Sequence, residues 1–143
     1  MTGQKWTIYW NEGASDTYLY GSRIHLLSKA DVVFENRLMP PGTIIKTWYS
    51  KTNYQMQRIE PSLPMIDGET EYEISCNIQY PEGENCILCM EFFDKYEESA
   101  GIQYIRNQKT RFRCPLKTYS YQIRLMNAGA AAFRFHSITI EEV

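Results

Sequence analysis

The sequence predicts an all-β protein, built as an antiparallel β-sandwich or jelly roll. Apolar and polar residues alternate with a period of two in most apolar segments, which is the pattern of strands that cover a core with one face. Short sequences rich in Gly, Pro, Asn and Asp separate these segments and predict turns. No segment carries a sustained apolar pattern at helical spacing. Many short strands between turns are typical of sandwiches.

Eight segments have strand character. In chain order they are KWTIYW, DVVFEN, TIIKTWY, EYEISCNIQY, CILCMEFFD, GIQYIRN, TYSYQIRLMN and FRFHSITIEE. The first two are short. TIIKTWY follows Pro40-Pro41-Gly42, which ends the preceding segment because proline lacks the N–H that a central ladder needs. Its two faces both mix apolar and polar residues, so its burial is not predicted from the pattern.

The later segments have clearer faces. EYEISCNIQY is apolar at every second position from Tyr72 to Tyr80, and TYSYQIRLMN repeats this from Tyr119 to Leu125. CILCMEFFD is apolar on nearly both faces, as expected of an interior strand. FRFHSITIEE changes phase after Phe135, which predicts a β-bulge near His136 or Ser137.

The length of 143 residues predicts one domain covering residues 1–143. Fifteen Lys and Arg against seventeen Asp and Glu give a formal net charge of −2, a balance that disfavours a nucleic-acid partner held by phosphate contacts. No apolar run reaches the ~18 residues that span a bilayer, and the first residues lack the apolar core of a signal peptide. We therefore expect a cytoplasmic protein.

The sequence offers few groups for catalysis. His25 and His136 lie inside strand patterns without companions at metal-ligand spacing, so a locally hydrogen-bonded strand histidine is the favoured interpretation of each. There is no G-x-S-x-G, phosphate loop or G-x-G-x-x-G. We expect no enzymatic activity, cofactor or metal. A small sandwich hydrolase stays open as an alternative because fold alone does not give function.

Four cysteines and a group of carboxylates are further candidates for a site. Cys86 and Cys89 form a C-x-x-C within a strand pattern, where residues three apart point to opposite faces, so buried structural thiols are favoured over a redox or zinc site. Glu91 lies on the same strand, and further carboxylates follow it. A glycosidase pair or a calcium ion held by Asp94 or Glu98 is an alternative to solvated turn charges, which the pattern favours.

The segment after Thr47 combines stacking rings with cations and amides. We call residues 48–58 the aromatic ribbon. Its candidate partner- or glycan-binding residues are Trp48, Tyr49, Lys51, Asn53, Tyr54, Gln55 and Arg58. Trp48 could instead pack into the sandwich, since large aromatic residues are mostly buried, whereas Tyr54 between two amides favours exposure. Sugar rings stack on such aromatics, and a peptide would use the ring as an anchor.

The same region carries a resemblance. LYGSRI, then ENRLMPPGTIIKTWYSKTNYQMQRIEPSLPMI and the closing NAGAAAFRFHSITI, closely resemble the small third member of the accessory secretory proteins of Gram-positive bacteria. That family serves the accessory Sec system, which exports serine-rich-repeat glycoprotein adhesins. The resemblance implies a fold similar to carbohydrate-binding modules.

The resemblance also implies a non-catalytic adapter. Its implied partners are two larger accessory secretory proteins, the accessory SecA motor and the serine-rich-repeat glycoprotein cargo with its sugars. It implies a place at the cytoplasmic face of the membrane, reached through those partners. Whether the aromatic ribbon contacts sugar, adhesin or a sister protein stays open, and a free-standing glycan-binding module is the alternative function.

Overall fold

The computed structural model describes residues 5–10, 15–18, 21–40, 42–50, 63, 66, 68–79, 86–105, 109–129 and 132–143. These residues form eleven strands and no helix. The strands are β1 (Lys5–Ile8), β2 (Ser15–Thr17), β3 (Arg23–Ser28), β4 (Asp31–Glu35), β5 (Ile44–Tyr49), β6 (Glu71–Gln79), β7 (Cys86–Phe93), β8 (Ser99–Ile105), β9 (Lys109–Arg113), β10 (Ser120–Asn127) and β11 (Ala132–Glu142).

The strands form two antiparallel sheets. The six-stranded sheet has the order β3-β4-β11-β6-β9, with β1 pairing the far end of β11 beyond β4. The five-stranded sheet has the order β2-β5-β10-β7-β8. Strands distant in sequence lie side by side, so the predicted antiparallel sandwich is confirmed and its connections cross between the sheets.

The alternation places the core as the sequence predicts. Tyr72, Ile74 and Ile78 of β6 are buried, and the buried residues of β10 begin at Tyr121. The predicted phase change in β11 is a register shift between Phe135 and Ser137, where the strand faces β6. One extra residue on one strand moves the next apolar side chains back toward the core.

Aromatic rings fill the middle of the core. The indole of Trp10 contacts four other rings, with centroid distances of 5.8 Å to Phe34, 6.4 Å to Trp48, 6.1 Å to Phe133 and 5.4 Å to Phe135. Phe135 in turn stacks on Trp48 at 5.5 Å. Tilted and stacked pairs at these distances contribute beyond the area they bury. This cluster joins the two sheets directly beneath β5.

Three described strands, β2, β3 and β9, lie outside the eight predicted segments. β9 has one buried apolar side chain, Phe112, and its cations form ion pairs with the neighbouring strand: Lys109 and Arg111 lie 3.4 Å from Glu73. β2 spans three residues. Edge strands of this kind have too few buried side chains to show a period.

Candidate functional site

Trp48 belongs to the core. Its side chain is 0% exposed, and its indole N–H donates a hydrogen bond of 3.1 Å to the carbonyl oxygen of Tyr9. In the register with β10 it lies opposite Ile123, which is also fully buried. Trp48 therefore packs into the sandwich and does not face a partner. The first residue of the aromatic ribbon is thus held in the core.

Lys46 is a buried cation on the same face as Trp48. The residue is 2% exposed, and its ammonium donates a 2.7 Å hydrogen bond to the hydroxyl of Thr17 on β2. The ammonium also lies 4.8 Å from the centre of the Trp10 ring and 5.9 Å from that of Trp48. Aromatic faces attract a cation, which offsets part of the cost of removing it from water. The indole rings of Trp10 and Trp48 therefore both lie near the ammonium of Lys46.

The chain enters the aromatic ribbon at a fixed point. Ser50 donates its N–H to the carbonyl of Tyr121 at 3.1 Å and accepts the N–H of Tyr121 on its hydroxyl at 2.8 Å. The N–H of Leu63 donates to the carbonyl of Tyr49 at 3.1 Å, and the Leu63 side chain is buried. Positions 50 and 63 are therefore both anchored at this end of β5.

The remaining members of the predicted site are only partly in view. Tyr49 is half-buried at the last position of β5. Lys51, Asn53, Tyr54, Gln55 and Arg58 lie outside the residues that the structure describes. The aromatic ribbon as a contact surface stays a prediction.

A second group of side chains, most of them polar, lies on the face of the five-stranded sheet that points away from the core. We call Cys89, Glu91, Ile102, Tyr104 and Arg124 the outer-face cluster. The sheet register places Cys89 between Arg124 and Tyr104, and Glu91 beside Ile102. Tyr104 and Ile102 are each 48% exposed. The cluster therefore combines an accessible ring with charged groups on one surface.

An ion pair organises the outer-face cluster. One guanidinium nitrogen of Arg124 donates to a carboxylate oxygen of Glu91 at 2.8 Å and lies 3.4 Å from the sulfur of Cys89. The side chains of Arg124 and Glu91 are 21% and 15% exposed. Burial opposes the charge on Arg124, but its hydrogen bonds and charge interactions with Cys89 and Glu91 outweigh that effect and raise its pKa. Glu91 thus acts as a paired anion on the strand.

The other candidate groups have structural partners. The ring nitrogen Nδ1 of His136 donates to the carbonyl of Ala30 at 2.8 Å, as predicted for a strand histidine. The carboxylate of Asp94 accepts the N–H groups of Tyr96 and Glu98 at 2.8 and 3.0 Å and so closes the β7–β8 turn. His25 is exposed on β3.

The four cysteines are free thiols. Cys86 and Cys114 are buried with the core residues, and Cys89 is buried against Arg124. Burial raises the pKa of the Cys76 thiol. The prediction of buried structural thiols is confirmed for three of the four, while Cys76 is partly buried. Where the chain is described, no group of three or more His, Cys, Asp or Glu side chains has the geometry to hold a metal ion.

No helix with the length and apolar character needed to cross a membrane is present in the described part of the chain.

The sandwich resembles solved structures of carbohydrate-binding modules. The xylan-binding CBM22-1 domain of Paenibacillus barcinonensis Xyn10C matches 99% of this chain and 96% of its own, with a TM-score of 0.56 and 11% identity. This likeness concerns the fold alone, and it confirms the predicted fold class.

Proteins of accessory secretion match far more closely. The third accessory secretory protein of the accessory Sec system of Streptococcus gordonii is 38% identical over 145 aligned residues, which cover 95% of this chain and 91% of the relative. A crystal structure of accessory secretory proteins 1, 2 and 3 in Streptococcus pneumoniae contains a chain with a TM-score of 0.88 and 30% identity, covering 96% of this chain and 95% of that one. A Gap123 complex from Streptococcus agalactiae matches with the same TM-score and 36% identity. There the match covers 98% of this chain but 45% of the other, so this chain spans less than half of that protein.

The fold is that of a small antiparallel β-sandwich, similar in its architecture to carbohydrate-binding modules. The model of the family formed by accessory secretory protein 3 of the accessory Sec secretory system matches residues 17–142. The chain belongs to that family, as the resemblance in the sequence predicts.

Sequence reasoning missed the outer-face cluster and the burial of Lys46. Glu91 stands alone in the sequence, because nothing there shows that Arg124 lies within reach of it. Arg124 occupies a polar position of an alternating strand, which is also where a solvated side chain would lie. The one available signal is that an acidic residue interrupts the otherwise apolar segment CILCMEFF.

Proposed function

We propose that this chain is a non-catalytic adapter subunit of the accessory Sec export complex that binds two larger accessory secretory proteins. One observation carries the proposal. The chain resembles, along nearly its whole length, a chain in a crystal structure of accessory secretory proteins 1, 2 and 3, at a TM-score of 0.88. A shared fold with shared sequence favours a shared assembly, whereas fold alone would not. Glu91 forms an ion pair with Arg124, and Asp31 forms one with Arg134. Such pairing is expected of charged side chains that have a structural role and no catalytic one.

The proposal extends to the partners of the assembled complex. The adapter works with the accessory SecA motor at the cytoplasmic face of the membrane and contacts the serine-rich-repeat glycoprotein cargo. The aromatic ribbon is its proposed contact surface, from Tyr49 through Tyr54 to Arg58. The backbone hydrogen bonds of Ser50 and Leu63 support this, because they hold the described residues on both sides of the segment at one end of β5.

Co-expression with the two larger accessory proteins tests the assembly. We expect the three proteins to elute together from a size-exclusion column, with an interface of at least about 1,200 Å². Independent elution of all three would defeat the proposal.

Tyr54→Ala tests the aromatic ribbon within that assembly. We expect the substitution to weaken binding of the larger proteins by about 1–2 kcal/mol and to leave the Tm of the isolated chain unchanged, because an exposed anchor ring contributes to binding and little to folding. Titration calorimetry and thermal unfolding measure the two effects.

Tyr96→Ala is the matched control for Tyr54→Ala. Tyr96 is 72% exposed in the turn between β7 and β8, so its removal should change neither binding nor Tm. If Tyr54→Ala unfolds the chain, the ring packs inside and the assignment of the ribbon is wrong. If both variants bind normally, the ribbon is not the contact surface.

A glycan-binding module is the second candidate function, and the outer-face cluster favours it. A sugar needs a ring to stack on and fixed polar groups for its hydroxyls. Tyr104 on β8 supplies a half-exposed ring, and the carboxylate of Glu91 and the guanidinium of Arg124 are paired with each other on the next two strands, β7 and β10. An adapter with such a surface would hold glycosylated cargo weakly.

Tyr104→Ala tests the glycan candidate. Trp10 and Trp48 are buried, so their fluorescence would report poorly on ligand, and calorimetry or NMR titration is the suitable measurement. We expect N-acetylglucosamine or a glycosylated repeat peptide to bind with a Kd of roughly a millimolar or tighter, and Tyr104→Ala to weaken binding by about 1–2 kcal/mol. Tyr119→Ala is the control, because the Tyr119 ring is exposed just before β10. No response of the wild type at millimolar ligand would exclude a sugar site.

A further inference from the structure

Strand β3 forms one edge of the six-stranded sheet. Among the described residues it pairs with β4 alone, from Arg23 opposite Glu35 to Ser28 opposite Asp31. In an antiparallel pair, every second residue directs its N–H and C=O away from the paired strand. Five of the six β3 residues are exposed, so these outward backbone groups are accessible. Such an edge can accept another strand.

An apolar side chain of β3 faces the core side without being covered. Leu26 lies opposite Val32, and Ile24 opposite Phe34, in the sheet register. Val32 and Phe34 are fully buried, yet Leu26 is 56% exposed. The five-stranded sheet therefore does not cover the six-stranded sheet at Leu26 of β3. Burial of Leu26 needs a further element beside β3.

The β3 edge is also basic. Residues 21–30 contain Arg23, His25 and Lys29 and no acidic residue, although the whole chain has a net charge of −2. None of these three side chains forms an ion pair with a carboxylate of the described residues. At the opposite edge of the same sheet, β9 differs, because Lys109 and Arg111 lie beside Glu73. The ammonium of Lys29 lies 4.6 Å from the centre of the Tyr9 ring, so Arg23 and His25 are the basic side chains of β3 that a partner can meet.

We propose that β3 is a docking strand, beside which an extended segment of a larger accessory protein adds to the six-stranded sheet. The segment alternates apolar and acidic residues. Its apolar side chains cover Ile24 and Leu26, and its acidic side chains face Arg23 and His25. Backbone hydrogen bonds give such strand addition its affinity, and the alternate side chains give specificity. The inference rests on the proposed adapter function and adds a second contact surface to the aromatic ribbon.

A second copy of the chain does not fit this edge. Pairing two β3 strands would bring the Arg23 side chains of both copies to the same short edge with no carboxylate on either strand, and like charges facing each other destabilise a strand pair. The register shift between Leu26 and Ser28 limits the docking length, because a bulge twists the edge away at that point. The partner strand therefore runs along Arg23–Leu26, four residues.

Leu26→Asp is the decisive variant. It places a carboxylate against the apolar side chains of the partner segment and so removes the apolar contact, while Leu26 is too exposed to stabilise the fold much. We expect binding of the purified pair of larger accessory proteins to weaken by roughly tenfold or more, with the Tm of the isolated chain nearly unchanged. Leu116→Asp is the control, since Leu116 is 70% exposed in the loop between β9 and β10 and should bind as the wild type does.

Hydrogen–deuterium exchange gives a second readout that needs no substitution. We expect the amides of residues 23–26 to exchange more slowly in the complex than in the free chain, because half of them gain partners. Unchanged exchange there, or normal binding by Leu26→Asp, would overturn the inference while the adapter function stands. If the wild type does not bind the larger proteins, the adapter function itself fails. If the wild type alone is a dimer that Leu26→Asp converts to a monomer, the occupant is a second copy and the inference is wrong.

Discussion

Replacing Trp48 by alanine is expected to lower the free energy of unfolding by about 3–5 kcal/mol. The indole is fully buried between the two sheets, where it stacks on Phe135 at 5.5 Å and meets Trp10 edge-on at 6.4 Å. Alanine would leave a large cavity and would remove the hydrogen bond that the indole N–H donates to the carbonyl of Tyr9. The ammonium of Lys46 would also lose one of its two rings.

Urea denaturation of the purified chain measures the effect of Trp48→Ala. Tyr96→Ala, at an exposed turn, should stay within about 0.5 kcal/mol of the wild type and serves as the control. Trp48→Phe keeps most of the ring volume and should cost less than half as much as alanine. A loss below about 1 kcal/mol for Trp48→Ala would mean that the ring is not part of the core, contrary to the structure.

The strands that the sequence predicts well are those with two or more buried side chains on one face. β6 and β10 alternate cleanly because one face of each covers the core and the other contacts water. β11 could be predicted with its bulge because the phase change is visible over Phe135 to Ile138. Periodicity is a local signal, and it reports burial wherever one strand is long enough to show it.

Strand order and side-chain pairing lie beyond that local signal. β10 lies between β5 and β7, and β11 reaches back to β4 about a hundred residues earlier. Loop closure over such distances depends on the whole core, so one segment does not encode its neighbours. Lys46 shows the limit on burial: a lysine between two isoleucines and a threonine gives no sign that its ammonium lies between indoles.

The candidate contact surfaces likewise divide into one that the sequence predicts and one that it does not. The aromatic ribbon could be proposed from the sequence because its residue types are unusual in a polar segment, and the ribbon lies within the region of residues 17–142 that matches the family. The β3 edge gives no such signal, since RIHLLS is too short and too exposed to show which side faces inward. Only the register with β4, which places Leu26 opposite Val32, reveals the uncovered side chain.

Replacing Arg124 by methionine is expected to lower the free energy of unfolding by about 2–3 kcal/mol, because it leaves the carboxylate of Glu91 half-buried without its partner. This is below the cost for a fully buried pair, since both side chains retain some contact with water.

The double variant Glu91→Met with Arg124→Met should recover most of that loss and lie within about 1 kcal/mol of the wild type. Among the described residues the Nε atom of Arg124 is buried without a hydrogen-bond partner, so the native pair already bears an uncompensated cost that two apolar side chains would remove. Urea denaturation of the wild type, both single variants and the double variant gives the coupling energy directly. Additive losses in the double variant would show that the two side chains act independently, and the ion pair would then not be the interaction that organises the outer-face cluster.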